Sequence, residues 1–246
     1  MGSNGLKAIL FDLDNTLIDT AGVGKIAIQK VHRLLKDTFG HEDHIGEICD
    51  RFKLKLLHES FDPTVSSIDD VRTSYWDQAI REIKGTSPSS TLAPACYELW
   101  KTTRLQHLAV PDPVRGTLEE LRKKYKLLLL TNGDSQTQRE KIEAVQCGDL
   151  FDAVVVGGEH PEQKPALSIF LHCFDILAVK PSECIMVGDS LDTDIQGGST
   201  AGVRATVWVS ANDRPASAVT PDYTIATVLE LPRILEEINI KFKSCK

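Results

Sequence analysis

The sequence predicts an α/β protein: a doubly wound parallel sheet, Rossmann-like, with a helical bundle inserted directly after the first strand. Three observations carry this. Short apolar runs rich in β-formers alternate with segments of helical periodicity. The alternation breaks once, between about Thr20 and Leu108, where helical spacing is almost continuous. The runs also end in acidic or polar residues, as strands do where open α/β sheets bind their ligands. The expected division is a core of residues 1–19 with 109–246 and an insert of residues 20–108.

The first run, Ala8-Ile9-Leu10-Phe11, is apolar throughout, the pattern of a parallel strand buried on both faces. The insert follows at once. Ile28, Val31, Leu34 and Leu35 form one helical stripe, and Ile48, Phe52, Leu56 and Leu57 a second. Val71, Tyr75, Ala79, Ile80 and Ile83 form a third, and Leu92, Cys96, Leu99 and Trp100 a fourth. Gly40-His41, Asp62-Pro63 and Gly85-Thr86-Ser87-Pro88 punctuate them. Four amphipathic helices make a small bundle with Phe52, Tyr75, Trp76 and Trp100 in its core. Its place in the chain suits a lid. Beyond it, strands are expected at Leu127–Leu130, Ala153–Val156, Ile185–Val187, Ala205–Val209 and, more weakly, Tyr223–Ile225. Helices are expected after Pro113, after Asp134-Ser135, and from Ala166 through Leu177.

Bulk properties exclude several classes. With 246 residues, 41% hydrophobic and 26% charged, the chain has an ordinary globular composition. A formal charge of −7 argues against nucleic acid or an anionic membrane as partner. Six scattered cysteines without a Cys-x-x-Cys pair argue against a zinc site or a disulfide scaffold. No run approaches the about 18 apolar residues that span a bilayer, and no signal peptide is evident. A cytoplasmic protein, monomeric or weakly dimeric, is expected.

Chemistry is concentrated at the strand ends. Asp12-Leu13-Asp14-Asn15-Thr16 places two carboxylates one residue apart after the first strand. On an extended backbone they point to one side, and a divalent cation between them would relieve their repulsion. An Asp14-Asn15 turn is the plainer alternative. Thr131-Asn132-Gly133-Asp134 can donate several hydrogen bonds to a phosphate, or can be a simple strand-to-helix junction capped by Asp134 or Ser135. Lys164-Pro165 places an ammonium before a helix, where it can neutralise a phosphate or where it is merely solvated. Gly188-Asp189 ends the fourth strand, with Asp192 and Asp194 following. Asp189 reads as a further Mg²⁺ ligand, Asp194 as a group that orients ligands or accepts from Lys164, and Asp192 as solvated or capping.

Together, Asp-x-Asp-x-Thr, Thr131-Asn132, Lys164 and Gly188 to Asp194 resemble the haloacid dehalogenase superfamily, and the helical insert resembles its cap domain. The resemblance implies a Mg²⁺-dependent phosphatase acting on a small sugar phosphate. By it, Asp12 is the nucleophile and Asp14 the proton-transfer group. Dehalogenases lack the second Asp because a halide leaves without a proton, so Asp14 favours phosphoryl chemistry. Leu13, Thr131, Asn132, Gly133 and Lys164 would hold phosphate, with Mg²⁺ on Asp12, the Asp14 carbonyl and Asp189. Arg72 and Arg104 are candidates to read a substrate carboxylate. A capped phosphomutase, or a binding module that keeps the scaffold, are the alternatives.

Overall fold

The computed structural model describes residues 5–40, 43–85, 89–210 and 218–244. The turns expected at His41 and at Thr86–Pro88, and Cys245, lie outside them. The chain divides into two compact units, Met1–Asp19 with Ala109–Lys246, and Thr20–Leu108.

The first unit is built on a six-stranded parallel sheet in the order β3-β2-β1-β4-β5-β6. The strands are β1 (Ala8–Phe11), β2 (Lys126–Thr131), β3 (Ala153–Val156), β4 (Cys184–Gly188), β5 (Ala205–Val209) and β6 (Tyr223–Ile225). All six fall where apolar β-rich runs predicted them. The chain leaves β1 toward β2 and β3, then returns to lay β4 against β1's other side. That reversal makes the β1/β4 edge the topological switch point, where such sheets open a crevice.

Strand pleating sends alternate side chains to opposite faces. Ala8 and Leu10, with Leu128, Leu130, Cys184 and Met186, pack against Ile169, Phe170, Cys173, Phe174 and Leu177 of helix α7, defined below. Ile9, Phe11, Leu127, Leu129, Ile185 and Val187 are buried on the other face. The core helices are α5 (Asp112–Arg122), α6 (Ser135–Ala144), α7 (Leu167–Leu177), α8 (Gln196–Thr200) and α9 (Leu231–Ser244), numbered after four helices in the insert. Helix α9 was not among the expected elements, although Leu231, Ile234, Leu235 and Ile238 are buried along one face at helical spacing.

The second unit holds α1 (Thr20–Phe39), α2 (Ile45–Leu57), α3 (Ile68–Lys84) and α4 (Leu92–His107). Ser67 caps α3 by accepting from the Asp70 N–H at 3.1 Å, and Gly85 ends it at φ 67°, a conformation glycine adopts without strain. The bundle core is aromatic: Phe52 stacks on Trp76 at 3.8 Å between ring centroids and meets Trp100 edge-on at 5.4 Å. Tyr75 is half-buried at its border, and Leu57, expected in the buried stripe, is exposed because α2 ends there. The five cysteines among the described residues are buried and unpaired. No described helix is long and apolar enough to cross a membrane.

Candidate active site

Asp12 follows the last residue of β1, and its main-chain N–H donates to the Val187 carbonyl at 2.9 Å, which fixes it at the β1/β4 switch point. Its carboxylate is buried. Oδ1 accepts from Lys164 Nζ at 2.7 Å, and Oδ2 from the Thr16 hydroxyl at 3.2 Å. Lys164 Nζ also donates to the Leu130 carbonyl and to Asp194 Oδ1, each at 2.7 Å. An ammonium 4% exposed is tolerable only with such partners. Asp194 is delivered by a π-helical turn, Leu191–Ile195, after β4, and its second oxygen accepts from the Ser190 N–H at 3.1 Å. Only glycine fits at 188: a Cβ there would lie 2.2 Å from Asp194 Oδ2.

Carboxylate oxygens of Asp12, Asp189 and Asp194 lie within 4.8 Å of one another. Three carboxylates against the single Lys164 ammonium leave two negative charges, which one divalent cation would balance, and hard oxygen donors suit Mg²⁺. The titration behaviour agrees. Burial pushes the Asp12 carboxyl up to about 7; Lys164 opposes the shift, while Asp194 and Asp14 reinforce it. Burial, with repulsion from Asp194, pushes Asp189 up to about 6. Burial alone would lower the Lys164 pKa, but Asp12 and Asp194 outweigh it and hold the ammonium above its ordinary value.

A pH dependence follows. Both acids keep their protons to higher pH when folded than when unfolded, so the cation-free protein loses their contribution as pH rises from 3.8 to about 7. Mg²⁺ must displace those protons, so its affinity rises over the same interval. Thermal unfolding with and without Mg²⁺ should show greater stabilisation at about pH 7.5 than at about pH 5.5. Equal stabilisation at both would contradict this account.

The other expected residues fall as follows. Asp14 lies outside the strand and outside the carboxylate cluster. The chain turns immediately, with Asn15 at φ 58° donating to the Ile18 carbonyl at 2.7 Å, so the two-residue alternation that would align Asp14 with Asp12 does not apply. The Asp14 carboxylate instead meets Lys141 and Gln138 of α6. Leu13 is buried, and its carbonyl accepts from Leu17 N–H at 2.9 Å. Thr131 is buried at the end of β2. The Asn132 amide is engaged with the main chain of Lys164, donating to its carbonyl at 2.8 Å and accepting from its N–H at 3.0 Å. Asn132 thus anchors the segment that presents the lysine. Gly133, at φ 115°, donates to Gln163 Oε1 at 2.7 Å. Asp134, rather than Ser135, caps α6, accepting from Thr137 N–H at 2.8 Å. Asp192 is exposed.

In the helical unit, Arg72 is buried and grips both oxygens of Glu59 at 2.8 Å. Arg104 lies over the Trp100 ring at 4.4 Å and lines a hollow of about 490 Å³ with Lys25, Lys53 and Ile28.

Two site residues escaped the motif reading, Gln138 and Lys141. Both are buried on α6, with Lys141 Nζ 2.8 Å from each Asp14 oxygen. The available signal was a glutamine at 138 and a lysine at 141, on the same helical stripe as the apolar Ile142 and Val145.

A parallel sheet whose switch point carries a buried Asp, a buried Lys and further acids defines a class. The chain belongs to the haloacid dehalogenase-like hydrolase family, which matches residues 6–202. Within that class, it is 51% identical over 243 residues to N-acylneuraminate-9-phosphatase from Mus musculus, covering 98% of both chains. The same enzyme from Homo sapiens is also 51% identical over 98% of both chains. Among solved structures, a HAD phosphatase from Thermococcus onnurineus matches 94% of this chain and 98% of its own, at 28% identity and a TM-score of 0.63.

Proposed function

We propose that this protein hydrolyses N-acylneuraminate 9-phosphate to the free sugar acid and inorganic phosphate, with Mg²⁺ as cofactor and an aspartyl phosphate on Asp12 as intermediate. One observation carries the substrate: the 51% identity to N-acylneuraminate-9-phosphatase extends over 98% of both chains, helical insert included. The insert is where superfamily members differ most, and Leu99–His107 within it resembles that enzyme, as does Phe11–Gly22.

Asp12 attacks phosphorus in line, forming a carboxyl–phosphorus bond as the bond to the sugar oxygen breaks. Asp14 protonates the departing alkoxide, then takes a proton from the water that cleaves the acyl phosphate. Lys164, held by Asp194 and by Asn132's grip on its main chain, neutralises charge between nucleophile and phosphate. Leu13, Thr131, Asn132 and Gly133 surround the remaining phosphate oxygens. Asp12 and Asp189 would supply the carboxylates for Mg²⁺, with the Asp14 carbonyl, while Asp194 holds the Lys164 ammonium and the Ser190 N–H. When bound there, Mg²⁺ acts as a Lewis acid that removes the repulsion between nucleophile and phosphate.

For the substrate's own carboxylate, Arg104 is the stronger candidate. The Arg72 fork is already matched to Glu59, whereas Arg104 shares its hollow with Lys25 and Lys53. Phosphate release across a panel of sugar phosphates, with Asp12→Asn as blank, tests the reading. The expected result is a kcat/KM for N-acetylneuraminate 9-phosphate about 10²-fold above that for neutral hexose phosphates, narrowed about ten-fold by Arg104→Ala. Turnover without that preference would favour a phosphatase or mutase of another small sugar phosphate.

A further inference from the structure

Helix α6 is a surface helix in every respect but one. Gln136, Arg139, Glu143 and Ala144 are exposed, as its outer face requires, while Ile142 and Val145 pack inward. On that same inward face stand Gln138, 2% exposed, and Lys141, 5% exposed. Taking an ammonium out of water costs several kcal/mol unless a partner offsets it, and an apolar side chain would fill the position without that penalty. Lys141 grips both oxygens of Asp14 at 2.8 Å. Gln138 adds a donor to Asp14 Oδ2 at 2.9 Å.

The Gln138 amide has a determined orientation. Its NH₂ faces the Asp14 carboxylate, the Thr131 hydroxyl at 2.9 Å and the Asn132 carbonyl. Turned over, its oxygen would face a carboxylate and a carbonyl, both acceptors. In the orientation adopted, Oε1 is buried without a hydrogen-bond partner among the described residues, a penalty accepted while the two N–H donors are shared among the Asp14 carboxylate, the Asn132 carbonyl and the Thr131 hydroxyl. Residues 138 and 141 are three apart, so both project from one face of a helix whose first turn is anchored by the Asp134 cap.

Asp14 needs such support. It sits beyond the end of β1, just before the Asn15 turn, with its side chain 25% exposed. We propose that Lys141, assisted by Gln138, is a positioning residue that holds the Asp14 carboxylate in the single orientation from which it exchanges protons with the leaving oxygen and with water. This rests on the reading of Asp14 as the proton-transfer group. Lys141 acts on the substrate only through Asp14.

The test compares an alkyl phosphate ester, whose alkoxide must be protonated, with 2,4-dinitrophenyl phosphate, whose phenolate leaves without a proton. Stopped-flow and quenched-flow measurements give the rate of phosphoenzyme formation from each. Lys141→Met is expected to slow formation from the alkyl ester about 10²-fold and from the dinitrophenyl ester less than about three-fold, so that a burst of dinitrophenolate persists before slow turnover. Lys141→Arg, which keeps a cation and two donors, should recover most of the loss. Gln138→Met should show the same discrimination at about ten-fold, and answers the question if Lys141→Met does not fold. Equal losses on both esters would overturn the proposal. Asp14→Asn, run alongside, separates two failures. If it discriminates between the esters and Lys141→Met does not, only the positioning role is lost; if it too fails to discriminate, the role of Asp14 itself is wrong.

Discussion

Asp12→Asn is expected to remove turnover, by about 10⁴-fold or more, while leaving the protein folded. The amide is nearly isosteric with the carboxylate, so the strand end and its bond to the Val187 carbonyl survive. It cannot, however, attack phosphorus as an anion. Lys164 keeps Asp194 and the Leu130 carbonyl as partners, so its ammonium is not stranded. The check is phosphate release beside circular dichroism and thermal unfolding. A folded variant with measurable turnover would remove Asp12 as nucleophile. No phosphoenzyme should be trapped by acid quench from the variant, whereas the parent protein should yield one.

The second large effect falls on stability. Lys164→Met should destabilise the protein by about 3–5 kcal/mol, the usual consequence of removing one partner from a buried ionic cluster. Asp12 and Asp194, 6% and 1% exposed, would then face each other and Asp189 with their ammonium gone. The loss should be greatest above about pH 7, where Asp12 is ionised, and should shrink in acid as the carboxyls take up protons. Mg²⁺ should recover part of it by supplying the missing positive charge. Urea unfolding at two pH values, with and without Mg²⁺, measures all of this. Unchanged stability at pH 8 would mean that the cluster does not depend on Lys164 for charge balance. Activity should fall with it, by about 10²- to 10³-fold, because phosphate and nucleophile lose the cation between them.

The two variants separate roles that a motif reading merges. Asp12→Asn removes a reacting group and spares the electrostatics. Lys164→Met leaves the reacting group in place and disturbs the field around it. Their different signatures in stability follow from which charges each leaves without a partner.

Much of this was legible in the chain. The central strands are short, mainly apolar runs, because a strand covered on both faces leaves little room for a polar side chain. The insert was visible as a change of period, from strand-helix alternation to helical spacing from Thr20 to Leu108. Asp12 and Asp189 stood out because acids at the ends of buried strands have few purely structural uses, whereas Lys164, in the loop before α7, gained meaning only beside them. Helix α9 was missed because it follows a weak strand, and its apolar face of Leu231, Ile234, Leu235 and Ile238 becomes meaningful only once the fold buries it.

What the sequence by itself determined, then, is the order of elements, the residue types at each strand end and, through them, the class of chemistry. Those are local properties: periodicity and composition are written into consecutive residues. What only the tertiary structure decided is which charge meets which. Asp12 and Asp14 are neighbours in sequence, yet one joins Asp189, Asp194 and Lys164 while the other turns to Lys141 and Gln138, more than 120 residues along. Asn132 likewise turns to the backbone of Lys164. The reason is physical. A buried charge is stable only beside a compensating one, and the compensating group can come from any strand end or helix face that the fold brings within hydrogen-bond reach, whatever its distance along the chain.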